Sequence, residues 1–264
     1  MSDVICPAPP RYVKGLAVIA FLAREKGKWE TVALSYGTRY PASNAELEAY
    51  RLAVTLAKDV EDRFGNEEAT SRSVEMESAR VDWQVRVAAH PATRWDGLYG
   101  LVPEADDARS FYGGRHMKAV RLSRAQREAL ARGFVEAPPL DRSLPMMLMA
   151  LRGHADEEVD QSAARALETV LSQGKPRDWV SLAFNLLRER HGEKPPPRKA
   201  PTPEDQMARI FRDAASGPSG PGIEDEDSLS RAWTRFKKRH RLKPALLPLP
   251  VEPPVPGTGG DTPL

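Results

Sequence analysis

A chain of 264 residues with 41% apolar side chains is long enough for one or two domains with a buried core. Its formal charge of +2 comes from 39 basic and 37 acidic residues, so any attraction to a polyanion has to arise from local clustering. The single cysteine, Cys6, excludes an intramolecular disulfide and a cysteine zinc cluster, and is read as a reduced thiol. Met1–Pro10 lacks a signal-type apolar core, and Val13–Leu22 is too short to span a bilayer. A soluble cytoplasmic protein with no membrane partner is expected.

The first apolar run, Gly15–Leu22, is followed by the polar stretch Arg24–Lys28 and then by Trp29–Ser35. In that second run Trp29, Thr31, Ala33 and Ser35 alternate with Glu30, Val32, Leu34 and Tyr36. With the Lys26-Gly27-Lys28 turn this reads as a hairpin. From Asn44 to Phe64, Ala49, Ala53, Leu56, Val60 and Phe64 recur three or four apart, one face of a long helix. Ser43 or Asn44 serves as its N-cap, and Gly65-Asn66 stands just past its end. The alternation that starts at Ser73 predicts a third strand over about 72–76.

His90–Gly114, rich in Gly, Asp and Pro, has no clear element. Ser123 and Gln126 have capping-box spacing for a helix through Leu130 and Phe134. Helices are also expected at Ser143–Leu151, at Glu157–Ser172 with a stripe from Val159 to Leu171, and from Asp178 with Trp179, Val180, Leu182, Ala183, Leu186 and Leu187. Met146, Met147 and Met149 read as core packing, with an adaptable partner surface as the alternative.

The 24 prolines concentrate in 195–203 and 244–256. Lys194–Pro201 reads as a semi-rigid linker, followed by a short helix after Thr202-Pro203, a Gly/Pro/Ser segment over 216–222, and another helix at Ser228–His240. The last twenty residues have too few apolar groups to offset ordering entropy. The expected division is an α/β domain at 1–135, a helical region at 141–193, a linker with a short helix at 194–227, a basic helix at 228–243 and a disordered Pro-rich tail at 244–264.

The order hairpin, loop, helix with an early Glu resembles the ribonuclease H superfamily over residues 3–85. Ala45-Glu46-Leu47-Glu48-Ala49 is similar to the second half of the motif that opens the family's helix A, with Ala42 and Ser43 where its two Asn stand. The resemblance implies an α+β or α/β fold with a mixed sheet. It also implies a magnesium-dependent nuclease in which carboxylates from separate elements hold Mg²⁺ for phosphodiester hydrolysis. Glu46 matches the helix carboxylate. Glu77-Ser78, with Gln84 following, matches the carboxylate that ends the family's fourth strand, although the family has Asp there. Asp3 stands at about the right distance before Gly15 for the first ligand. Asp106 and Asp107 sit in a local motif like that of the fourth but come early in the chain. Read as plain side chains, Glu46 is a partner of the helix dipole, Glu77 a solvated strand residue, and Asp106 and Asp107 acidic loop residues.

The histidines, His90, His116, His154, His191 and His240, share no metal-ligand spacing, and no phosphate loop or nucleophile elbow is present. Arg231, Arg235, Lys237, Lys238, Arg239, Arg241 and Lys243 cluster without an acid among them, interleaved with Trp233 and Phe236. On a helix, Leu229, Trp233 and Phe236 form an apolar stripe. The cations around it either contact phosphates or stay solvated while the aromatics dock on the body. Glu224–Asp227 upstream could shield them. The chain therefore reads as a nucleic-acid-associated protein, a Mg²⁺-dependent nuclease if its site is intact. The alternative is a non-catalytic adaptor or subunit of a nucleoprotein, phage or mobile-element assembly, with a protein partner on its helical region.

Overall fold

The computed structural model describes residues 14–15, 17–31, 38–65, 73–102, 119–173, 178–193 and 226–249. The chain divides into two compact units, Met1–Leu56 with Leu249–Leu264, and Ala57–Pro248. Helices dominate and the strands are short, so the fold is α+β in the broad sense.

In the first unit, β2 (Leu22–Glu25) pairs antiparallel with β3 (Lys28–Thr31), with Arg24 opposite Trp29. The turn residues Lys26 and Gly27 both have positive φ, 48° and 81°, the left-handed geometry whose twist suits a two-residue hairpin. Ahead of this hairpin, β1 (Ile19–Ala20) pairs with β4 (Thr38–Arg39). The long helix α1 (Asn44–Phe64) follows, and the division between the units falls within it. Its stripe of Ala49, Ala53, Leu56, Val60 and Phe64 is half-buried, in the expected register.

The second unit contains α2 (Val74–Ala89), α3 (Arg94–Leu101), α4 (Arg124–Glu136), α5 (Ser143–Ala150), α6 (Glu157–Ser172), α7 (Asp178–Arg190) and α8 (Glu226–His240). The strand expected at 72–76 is instead the start of α2. Ser73 Oγ accepts from the Met76 N–H at 3.1 Å, and Glu75 and Glu77 occupy the first turn. Alternation over a few residues yields here to a longer pattern, in which Val81, Gln84, Val85 and Ala88 recur three or four apart and are buried. Among the described residues the sheets are two-stranded, so the mixed sheet implied by the resemblance is not formed by them.

Glycine sets the spacing around α2. A Cβ at Gly97 of α3 would lie 2.3 Å from Ala88 N and 2.4 Å from Gln84 O, and one at Gly133 of α4 would lie 2.5 Å from Ala89 O. Both neighbours thus pack backbone against backbone. Arg94 is buried beside this junction, donating to the carbonyls of Ala88, Gly133 and Ala137 at 3.4, 3.4 and 2.8 Å. Burial lowers its pKa to about 10, with Asp141 opposing, which leaves it charged at neutral pH. The guanidinium thereby serves carbonyls at the ends of α2 and α4; that of Gly133 also accepts the Ala137 N–H at 3.3 Å.

The α4 capping box forms as expected: Ser123 Oγ accepts from Gln126 N–H, and Gln126 Oε1 accepts from Ser123 N–H at 2.7 Å. All eight residues of α5 are buried, so this helix is apolar all round because neighbours surround it. The methionines accordingly lie in the core and offer no partner surface. The stripe of α6 is buried through Val159, Ala163, Ala166, Leu167 and Val170, and that of α7 through Trp179, Val180, Ala183, Phe184, Leu186 and Leu187.

One apolar cluster extends from Val81 of α2 to Phe236 of α8. The boundary expected at 135 therefore falls inside a single core, and the helix expected at 228–243 belongs to that core through Leu229, Trp233 and Phe236. The tail expected to be disordered from residue 244 is held at its start: Leu247 packs against the core and its N–H donates to buried Thr169 Oγ1 at 2.8 Å. The linker at 194–225, with its expected short helix and Gly/Pro segment, and residues 250–264 lie outside the described residues. Among those described, no helix is long and apolar enough to cross a membrane.

Candidate nucleic-acid interface

The two described carboxylates of the expected metal site, Glu46 and Glu77, each make contacts within their own helix or its cap. Ser43 Oγ accepts from the Glu46 N–H at 3.2 Å, and Glu46 Oε2 accepts from the Ala42 N–H at 2.8 Å. This closely resembles a capping box, with the carboxylate reaching one residue further back. Glu77 pairs with Arg80 at 3.0 Å within α2. Its matching to a strand end is overturned by the helix at that position, and Gln84 lies in the core against Gly100. Glu46 and Glu77 also fall in different units. Asp3, Asp106 and Asp107 lie outside the described residues, as does Cys6. Among the described residues, no three His, Cys, Asp or Glu side chains group as metal ligands.

The basic stretch is organised differently. At 3.6 residues per turn, Leu229, Trp233 and Phe236 share one face of α8, while Arg231, Arg235 and Lys238 share the opposite one. The first three are buried, with Trp233 only 3% exposed, and the second three are exposed. Trp233 and Phe236 meet the edge of Phe184 at 5.5 and 5.3 Å between ring centroids, arrangements that favour the aromatic quadrupoles.

Two carboxylates anchor the helix. Glu168 of α6 accepts from Trp233 Nε1 at 2.6 Å and from Lys237 Nζ at 2.6 Å. Glu193 accepts from Arg188, Arg239 and His240. A glycine turn positions Glu193. Gly192 has φ 75°, and the N–H groups of Gly192 and Glu193 return to the carbonyls of Glu189 and Arg188, closing the end of α7. The same pattern ends α8, where Arg241 takes φ 54° and the Leu242 N–H returns to Lys237 O at 2.9 Å.

Of the seven expected phosphate-binding cations, Lys237 and Arg239 hold carboxylates. Arg231, Arg235, Lys238, Arg241 and Lys243 are exposed. The aromatics of this segment thus dock on the body, as one of the two readings expects, and its remaining cations are exposed. The side chains of Glu224–Asp227, read as a shield, lie outside those described.

No family model, curated protein or solved structure matches this chain.

The residues that mount the helix, Glu168, His191 and Glu193, were not singled out from the sequence, nor was Thr169, which holds Leu247 beyond it. His191-Gly192-Glu193, a glycine stop after a helical stripe, was a usable signal for His191 and Glu193. Glu168 gave none, because an acidic residue beside an apolar stripe is ordinary.

The Glu193 carboxyl shows how firmly this anchor is set. Burial acts to raise its pKa, but hydrogen bonds from His240, Arg188 and Arg239 outweigh it and hold the group down to about 2. A depressed carboxylate contributes stability above its ordinary value near 4.5 and loses it as pH falls toward 2. Glu193→Gln is expected to shrink that acid dependence and to weaken docking of α8 at neutral pH, as read by hydrogen exchange across 229–240.

Proposed function

We propose that the chain is a nucleic-acid-associated adaptor that contacts phosphate backbones through the outer face of α8. One observation carries the reading: the helix is bolted to the body by Leu229, Trp233 and Phe236, so Arg231, Arg235 and Lys238 are held in a row facing away from it. The three span roughly 10 Å along the helix at 1.5 Å per residue, suited to neighbouring phosphates. Arg241 and Lys243, also exposed, follow just past the helix end. Such contacts are electrostatic and position a protein on nucleic acid without reading its sequence. Nuclease chemistry at Glu46 and Glu77 is a weaker proposal, because each carboxylate makes a contact local to its own helix, Glu46 with the Ala42 N–H and Glu77 with Arg80.

The reading is tested by titrating a fluorescent oligonucleotide with the wild-type chain and with Arg231→Gln/Arg235→Gln/Lys238→Gln. Affinity at low salt is expected to fall on the order of tenfold or more in the triple variant, with the fold unchanged. Equal affinity would reject α8 as the contact.

A further inference from the structure

Two histidine rings face one another where α8 meets α7. His191, just past the end of α7, lies 4.6 Å from His240 between ring centroids and meets the edge of Phe236 at 5.2 Å. Their surroundings differ. His240 Nε2 contacts Glu193 at 2.8 Å, whereas His191 Nε2 is buried and has no hydrogen-bond partner among the described residues. The nearby charges are Asp160 of α6, ion-paired with Arg190 of α7, together with Arg188 and Arg239, both bonded to Glu193. Every carboxylate close to the rings is therefore already engaged by a cation.

We propose that this histidine seam makes the docking of α8 acid-sensitive, so that protonation of His191 loosens the helix and frees its cationic face from a fixed mount. An imidazolium at this place has an N–H with no acceptor among the described residues, a second imidazole in contact and the Phe236 ring perpendicular to it. In the undocked state water solvates both rings. Burial lowers the His191 pKa from its ordinary value of 6.5; Asp160 opposes this, and His240 and Arg190 add to it. The sign follows from the lowered value of a base. Above pH 6.5 the ring is neutral docked or free and costs nothing. As pH falls below that value the free ring takes its proton first, and docking weakens progressively. Glu193, held at about 2, stays charged throughout this range and is not the source. His240, in contact with both Glu193 and His191, is the other titratable ring at this seam.

The functional consequence rests on the reading of α8 as the polyanion contact, while the docking change itself does not. The experiment is hydrogen exchange of the full chain without nucleic acid at pH 7.5 and 5.5, corrected for intrinsic rates. Protection across 229–240 is expected to drop by up to about tenfold, the ceiling set by a pH one unit below the ordinary value of 6.5, while 124–136 keeps its protection. His191→Gln and His191→Leu, whichever folds by the same 124–136 criterion, are expected to retain protection at the lower pH. A wild-type chain equally protected at both values overturns the proposal, as does an identical loss in both variants. Acid release without oligonucleotide binding would reject the proposed function and leave the seam standing.

Discussion

Trp233→Ala is expected to detach α8 from the body, with a loss of about 3–5 kcal/mol, the range for removing a buried large aromatic. The ring is 3% exposed, meets Phe184 edge-on at 5.5 Å and stacks on Phe236 at 5.7 Å. Its Nε1 also donates to Glu168. Truncation removes the packing, leaves a void and takes one of two donors from a half-buried carboxylate. A single partly exposed ion pair contributes about 1 kcal/mol or less, so Lys237 and Glu168 alone do not hold the helix. Trp233→Phe keeps most of the area, loses the hydrogen bond and is expected to cost about 1–3 kcal/mol. Hydrogen exchange checks both: in the alanine variant 226–240 loses protection while α4 and α5 keep theirs. Unchanged protection would mean that α8 is held by other contacts.

Gly97→Ala acts on the other end of the same core. The added methyl would sit 2.3 Å from Ala88 N and 2.4 Å from Gln84 O, inside the contact distance of atoms that belong to the backbone of α2. No side-chain rotation relieves this, so α3 has to move away from α2. The shift would disturb buried Leu98, Leu101 and Val85, and the bond from Thr93 Oγ1 to Val87 O at 2.8 Å. Overpacking of this kind costs about 1–3 kcal/mol, and the rigid neighbours place this site toward the upper value. Alanine is the better helix former by about 1 kcal/mol, so a stabilised variant in a thermal melt would show that the two helices are not in backbone contact.

Much of the helical half was legible because its stripes are long. Val159 to Val170 and Trp179 to Leu187 repeat a 3.6-residue period over enough turns to exclude alternation, and the cap at Ser123 was readable from two residues. The hairpin was legible from its Lys-Gly turn. The segment at 72–76 was not. Glu75 and Glu77 alternate with Val74 and Met76 as a strand would, and only the burial of Val81, Val85 and Ala88 further on selects the helix. The close packing of α2, α3 and α4 was hidden because it runs through glycines and one arginine, whose packing leaves no hydropathy pattern. For the candidate site, the cationic cluster and its apolar stripe were both visible. Their assignment to opposite faces of one docked helix depended on Glu168 and Glu193, residues unremarkable in sequence.

The central claim is that α8 offers its outward cations to phosphates. It is tested most directly by the salt dependence of single-stranded oligonucleotide binding, plotted as log K against log salt concentration. Each phosphate contact contributes about 0.7 to the slope for single strands, so Arg231→Gln/Arg235→Gln/Lys238→Gln should give a line shallower than wild type by about 2. Parallel lines for the two proteins would contradict the account.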